Sequence, residues 1–290
     1  MLEAYETMGE AVVLTTFHKE GLDLYGQRFI DSFAQKVDKR IPLLVYAEDC
    51  VVQNPDPNQI IVYDAKLELP KLNAFKNKWK NDPRANGIPP DEIKARRPRD
   101  HHKKFKWDAI RFANKTYAVY DACEKHKDKW VVWMDADTFV HSNWSYDDFM
   151  KLLPNDKWIT YVGRGKGSQT WPECGFYGLN MKDVICQDFV KEFERVYEDA
   201  ENGIFKLEEW HDSFVFGGIL NSMKEYYPQV LDYSAEMYVK TAKTGGGGHP
   251  LINSELGKWI DHMKGARKNT KKSLPKDLMV NRTEAYWNEI

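Results

Sequence analysis

Trp130-Val-Val-Trp-Met134-Asp135-Ala-Asp137 is the stretch on which the reading of this chain turns. Five apolar residues, β-branched and aromatic, predict a short buried strand over Trp130–Met134. In extended backbone, residues i and i+2 point the same way, so Asp135 and Asp137 converge at the strand's carboxyl end. Buried unpaired carboxylates are costly, so such a strand end needs a partner, and a divalent cation with oxygen ligands is the simplest one. The position strengthens the pattern, because open α/β sheets bind ligands at the carboxyl ends of their strands. A turn whose acid caps the next helix is the competing reading.

Working outward, Ala11–Thr16, Pro42–Ala47, Ile60–Tyr63, Trp158–Val162 and Gly175–Asn180 predict further strands, with Val230–Leu231 a weak one. Helices are predicted over Tyr25–Val37, Phe105–Cys123, Tyr146–Leu153, Lys182–Asn202 and Glu208–Met223, with a short one near Ser254–Met263. Residues 64–104 form a long excursion, helical around Leu69–Trp79, with a mobile basic loop near 83–102. The glycine run Gly245–Gly248, with His249 after it, predicts a lid hinge or outer contact to the site. Strands alternating with helices predict an α/β fold with a mostly parallel central sheet covered on both faces. The chain reads as a single domain of two abutting halves: about 1–140, about 141–268, and a 269–290 tail.

The 290 residues are 42% hydrophobic and 13% aromatic, which excludes disorder as the main state. Net charge is −2, yet two basic clusters stand out, over 94–106 and 264–276. Such clusters attract polyanions, a nucleotide diphosphate or nucleic acid, unless they are simply solvated faces. Cys50, Cys123, Cys174 and Cys186 lack paired spacing, which excludes a zinc knuckle or redox C-x-x-C motif. The opening MLEAYETMGE lacks a signal-peptide layout and no apolar run has the length of a membrane span. A cytoplasmic location is expected, host cytoplasm if the chain is viral.

Far downstream stands His262-Met-Lys-Gly265-Ala-Arg-Lys268. A neutral imidazole can complete a shell begun by two carboxylates and favours manganese over magnesium. Gly265 lets backbone approach a phosphate closely, while Lys264, Arg267 and Lys268 supply positive charge.

An apolar strand ending in D-x-D, followed by H-x-x-G-x-x-K, resembles family 8 glycosyltransferases of the GT-A fold. The match is at the level of motifs over about residues 11–268; where the family continues Lys-Pro-Trp, this chain reads Lys268-Asn-Thr. The chain is also similar to glycosyltransferase-like proteins encoded by bacterial viruses. The resemblance implies a metal-dependent transfer of a sugar from a nucleotide diphosphate sugar, a UDP-sugar foremost, with Mn2+ or Mg2+ as cofactor. It casts Asp135, Asp137 and His262 as metal ligands, with Gly265 and Lys268 on the donor diphosphate, to which the positive charge of Arg267 is expected to add. By the same analogy, Arg111 and then Lys115 reach the donor, and Thr15, Thr16 and Phe17 hold its base and ribose. Glu208-Glu-Trp-His-Asp212-Ser213 resembles the acceptor-side acid motif, with Asp212 and next Glu209 as the carboxylates that take the acceptor's proton. A glycan and a hydroxymethylated viral DNA base are both compatible acceptors. A sugar-nucleotide-forming nucleotidyltransferase would share the sheet and acids but needs a glycine-rich basic loop after the first strand, which TTFHKEG lacks. A non-catalytic nucleic-acid-binding module would explain the basic clusters but not a buried D-x-D.

Overall fold

The computed structural model describes residues 9–165, 171–237, 249–265 and 267–289. Seven strands form one sheet in the order β3-β2-β1-β4-β7-β6-β8. They are β1 (Ala11–His18), β2 (Leu43–Glu48), β3 (Ile60–Asp64), β4 (Trp130–Met134), β6 (Ile159–Val162), β7 (Glu173–Asn180) and β8 (Val230–Asp232). Only β7 runs against the rest: it pairs antiparallel with β4 and β6, while all other neighbours are parallel. The fold is therefore α/β with a mostly parallel sheet, as the alternating pattern predicts.

Alternate residues of the strands feed two cores. Val12, Leu14, Leu44, Tyr46, Val131 and Trp133 face one side, where α2 (Pro70–Trp79), α3 (Ala109–Lys125), α5 (Val184–Glu198) and α6 (Asp212–Lys224) pack. Ala11, Val13, Leu43, Val45, Val132 and Met134 face the other, against α1 (Gln27–Lys36), α4 (Tyr146–Lys151) and the C-terminal segment. Burial on both faces is why these strands read as continuous apolar runs rather than as alternation. Each large side chain so buried contributes about 1.5–3 kcal/mol.

Two sequence expectations change. Ser254–Met263 is not a helix: a 3-10 turn over Glu255–Lys258 leads into strand β9 (Ile260–His262). That strand pairs antiparallel with β5 (Thr138–Val140), which the sequence pattern does not reveal because three residues carry no periodicity. Residues 83–102 are not a bare loop but carry short helices at Pro83–Asn86 and Asp91–Arg96. The Gly245–Gly248 run lies outside the described residues. All four cysteines are free. Among the described residues, no helix is long and apolar enough to cross a membrane.

Candidate metal centre

The two-stranded β5–β9 ladder builds the site. Asp135 and Asp137 leave the end of β4, and the chain turns at once into β5 through a Thr138 N–H to Asp135 carbonyl bond of 3.1 Å. In the ladder, Thr138 lies directly opposite His262, and the Met263 N–H donates to the Asp137 carbonyl at 2.8 Å. Backbone pairing thus brings a histidine 125 residues away onto the two acids. His262 Nε2 sits 3.0 Å from Asp137 Oδ1 and 3.5 Å from Asp135 Oδ2. One ligand atom from each of the three lies within 4.8 Å of the others, the spread expected around a single cation.

The remaining carboxylate oxygens face outward to ammonium groups. Asp135 Oδ1 accepts from Lys115 Nζ at 3.1 Å and from the Trp133 indole at 2.7 Å. Asp137 Oδ2 pairs with Lys268 Nζ at 3.0 Å. Each acid therefore spends one oxygen on an ammonium and turns the other toward the imidazole. Such outer partners fix first-contact ligands in place. The donor set, two carboxylate oxygens and one imidazole nitrogen, suits a manganese- or magnesium-type ion. Burial works against charge on His262, but Asp137 and Asp135 hold its imidazole up to about 10. A cation bound there would replace that proton.

The packing behind His262 is tight. A Cβ on Gly175 would come within 2.7 Å of His262 Cε1, so only glycine at that point of β7 admits the ring. Gly265 adopts φ +66°, the left-handed region that favours glycine, and turns the chain from β9 toward Lys268. Lys268 also lies 4.5 Å from the Tyr25 ring centroid, so the π-helical turn Leu22–Gly26 forms one wall.

Lys115 links this centre to the acceptor-side motif. Only 8% exposed, its ammonium touches Asp135, the Cys174 carbonyl and Asp212 Oδ2 at 2.7 Å. Burial alone would favour loss of its proton, yet Asp135 and Asp212 keep the ammonium charged well above its ordinary range. Asp212 opens α6, and His211 caps that helix by accepting the Phe214 N–H. Arg111, one turn before Lys115, is exposed; its backbone N–H donates to Asp108 Oδ1 and its carbonyl accepts from Asn114 Nδ2.

Other residues singled out in the sequence stand elsewhere. Glu209 has both oxygens occupied, Oε1 by Lys106 and Arg97 and Oε2 by His211 at 2.8 Å. Burial would raise its pKa, but the His211 and Lys106 hydrogen bonds bring it down to about 2, a poor proton acceptor at neutral pH. Arg267 turns to Asp277, its Nε at 2.6 Å from Oδ2, rather than toward the acids. Lys264 is held by buried Glu173 at 2.8 and 2.9 Å. Phe17 is packed into the core beneath Gly26, and Thr15 is fully buried. Thr16 donates its hydroxyl to the Tyr46 carbonyl at 2.6 Å. Gly175, Trp133 and Tyr25 were not picked out as site residues; only the i, i+2 spacing of Trp133 and Asp135 offered a local signal.

No protein-family model matches the sequence, and no curated protein matches it. Among solved structures the chain is similar to the WbbM bifunctional glycosyltransferase, with TM-score 0.43 and 14% identity over 78% of this chain and 39% of that one. It is similar to mouse xyloside xylosyltransferase 1, with TM-score 0.43 and 8% identity over 85% and 93% of the two chains. A third is the glycosyltransferase GlyE of Streptococcus pneumoniae TIGR4, at TM-score 0.40 and 10% identity over 78% and 45%. The chain spans less than half the length of the first and third.

Proposed function

We propose that this chain is a divalent-cation-dependent glycosyltransferase that moves a sugar from a nucleoside diphosphate sugar to a hydroxyl acceptor. The observation that carries the reading is the split use of oxygens around His262: inner oxygens turned to its imidazole, where a cation would replace the proton, and outer ones anchored by Lys115 and Lys268. Asp135, Asp137 and His262 would hold the ion, Mn2+ foremost, and when bound it supplies Lewis-acid stabilisation of the departing diphosphate. Lys268, next to Asp137 at the mouth of the centre, places a second positive charge where diphosphate oxygens would lie. Exposed Arg111 adds a third from the first turn of α3. Asp212 is held by Lys115 through Oδ2, and its carboxylate orients the acceptor hydroxyl and receives its proton as it attacks the anomeric carbon.

The nucleic-acid reading of residues 94–106 has less support. Lys94 pairs with Asp91, Arg96 with Glu208, Arg97 with Asp100 and Glu209, Lys103 with Asp100, and Lys106 with Asp100 and Glu209. Five of the seven cations in the run are so paired, leaving Arg99 and Lys104 without an ion pair among the described residues, which weakens the release of counterions from a phosphate backbone.

A thermal-shift screen of nucleotide sugars with and without manganese tests the proposal. One donor should raise the melting temperature only when manganese is present. No manganese-dependent shift with any nucleotide sugar contradicts it.

A further inference from the structure

The acceptor side carries a feature that the metal centre does not use. His211, which caps α6 beside Asp212, is ringed by aromatic side chains: Phe105 at 6.0 Å between centroids, Phe112 at 6.1 Å and Phe214 at 6.2 Å. Trp171 extends the group, tilted against Phe214 at 4.3 Å. These rings are not core. Phe105 is 46% exposed, and Phe112, Phe214 and Trp171 are half-buried. Trp171 is held from behind: a Cβ on Gly217 would meet its ring at 3.0 Å and Pro172 at 2.8 Å.

Their place in the fold ties them to the chemistry. Phe112 stands three residues before Lys115 on α3, on the same face of the helix. Phe214 stands two residues after Asp212. The aromatic rim thus surrounds His211, the residue next to Asp212, whose carboxylate Lys115 fixes at 2.7 Å and which is itself only 8% exposed.

We propose that Trp171, Phe214, Phe112 and Phe105 form an acceptor subsite that stacks the face of a saccharide ring and presents one of its hydroxyls to Asp212. The proposal rests on the glycosyltransferase reading and names its acceptor class. Aromatic faces carry negative charge density and attract the weakly positive C–H face of a pyranose, while leaving its hydroxyls at the edge for polar groups. A buried carboxylate beside an apolar wall suits that edge. A nucleic acid would stack on the same rings, but it also needs a cationic track for its phosphates. In the adjacent basic run Lys94, Arg96, Arg97, Lys103 and Lys106 are paired with Asp91, Asp100, Glu208 and Glu209, while Arg99 and Lys104 show no ion pair among the described residues. The occupant best matched by flat rings next to one buried acid is a sugar, which offers an apolar face to the rings and a hydroxyl to the carboxylate.

Saturation-transfer NMR on the full chain with magnesium and UDP tests this, using methyl glucoside, methyl galactoside, methyl xyloside and lactose as probes. At least one should receive saturation at its ring protons, and Trp171→Ala or Phe214→Ala should weaken its binding about tenfold, the size of one aromatic contact. Trp171→Phe should restore most of it, with melting temperatures of all variants near that of the parent. No transfer to any probe, or transfer unchanged in both alanine variants, overturns the proposal. Salt-sensitive binding of a single-stranded oligonucleotide that the same variants abolish, without saccharide binding, also overturns it. The donor reading is checked apart from this by the manganese-dependent thermal shift of the parent protein. A donor shift without saccharide contact removes only the subsite, and saccharide contact without a donor shift removes only the donor assignment.

Discussion

Two charge clusters, one at the metal centre and one at the edge of the basic segment, are built on different plans. At the metal centre, Asp135 and Asp137 face His262 with their inner oxygens and give only their outer ones to Lys115 and Lys268. At the edge of the basic segment, Glu209 gives everything away, to Lys106, Arg97 and His211, and Asp100 is shared among Arg97, Lys103 and Lys106. The first cluster sets a convergent group of donors at the ion-sized spacing; in the second every carboxylate oxygen already meets a cation or an imidazole. Burial and charge alone do not mark a functional site. Convergence of donor atoms on one point does.

The largest effect that would break this contrast lies at the metal ligands. Asp137→Ala should lower manganese-dependent turnover by on the order of 10^3-fold, as loss of a main electrostatic stabiliser does, with the far-ultraviolet circular dichroism unchanged. Turnover near the parent value would place the chemistry elsewhere. Gly175→Ala comes next: its methyl must displace the His262 ring, and manganese affinity should fall about 10- to 100-fold, read by titration calorimetry. Lys268→Ala should raise the donor KM about tenfold, the loss shrinking at higher salt as the lost charge is screened.

Glu209→Gln sharpens the contrast from the other side. It should leave manganese affinity unchanged and act on stability alone. The Glu209 carboxyl, depressed to about 2, contributes stability that is fully present above its ordinary range and lost as pH falls toward 2. The parent's melting temperature should therefore drop more steeply between about pH 5 and pH 2 than the variant's, an effect of about 3 kcal/mol for a shift of this size. Parallel pH profiles would mean that Glu209 is not the clamp described.

Much of the centre was legible in the sequence because its signals are local. The i, i+2 spacing of Asp135 and Asp137 at the end of an apolar strand needs no tertiary information, and neither does the glycine that turns the chain at 265. The β5–β9 ladder was not legible: three-residue strands show no period, and the segment before His262 carries helix-like apolar spacing. Gly175 was equally silent, since a glycine reserved for a ring 87 residues further on looks like any glycine in a strand. The basic run misled for a related reason. Its local count gave Asp100 as the only opposing acid, whereas Glu208 and Glu209 reach it from more than a hundred residues away. Lys115, expected from the sequence to reach the donor, also braces Asp135 against Asp212, a link between residues 77 apart that no local pattern shows.

Electron paramagnetic resonance of manganese titrated into the protein tests the central claim most directly. The account predicts one tightly bound ion per chain, with nitrogen coupling from a single imidazole that disappears in His262→Ala, and binding lost in Asp137→Ala but kept in Glu209→Gln. Manganese that stays free in solution, or a bound signal indifferent to His262→Ala and Asp137→Ala, would contradict it.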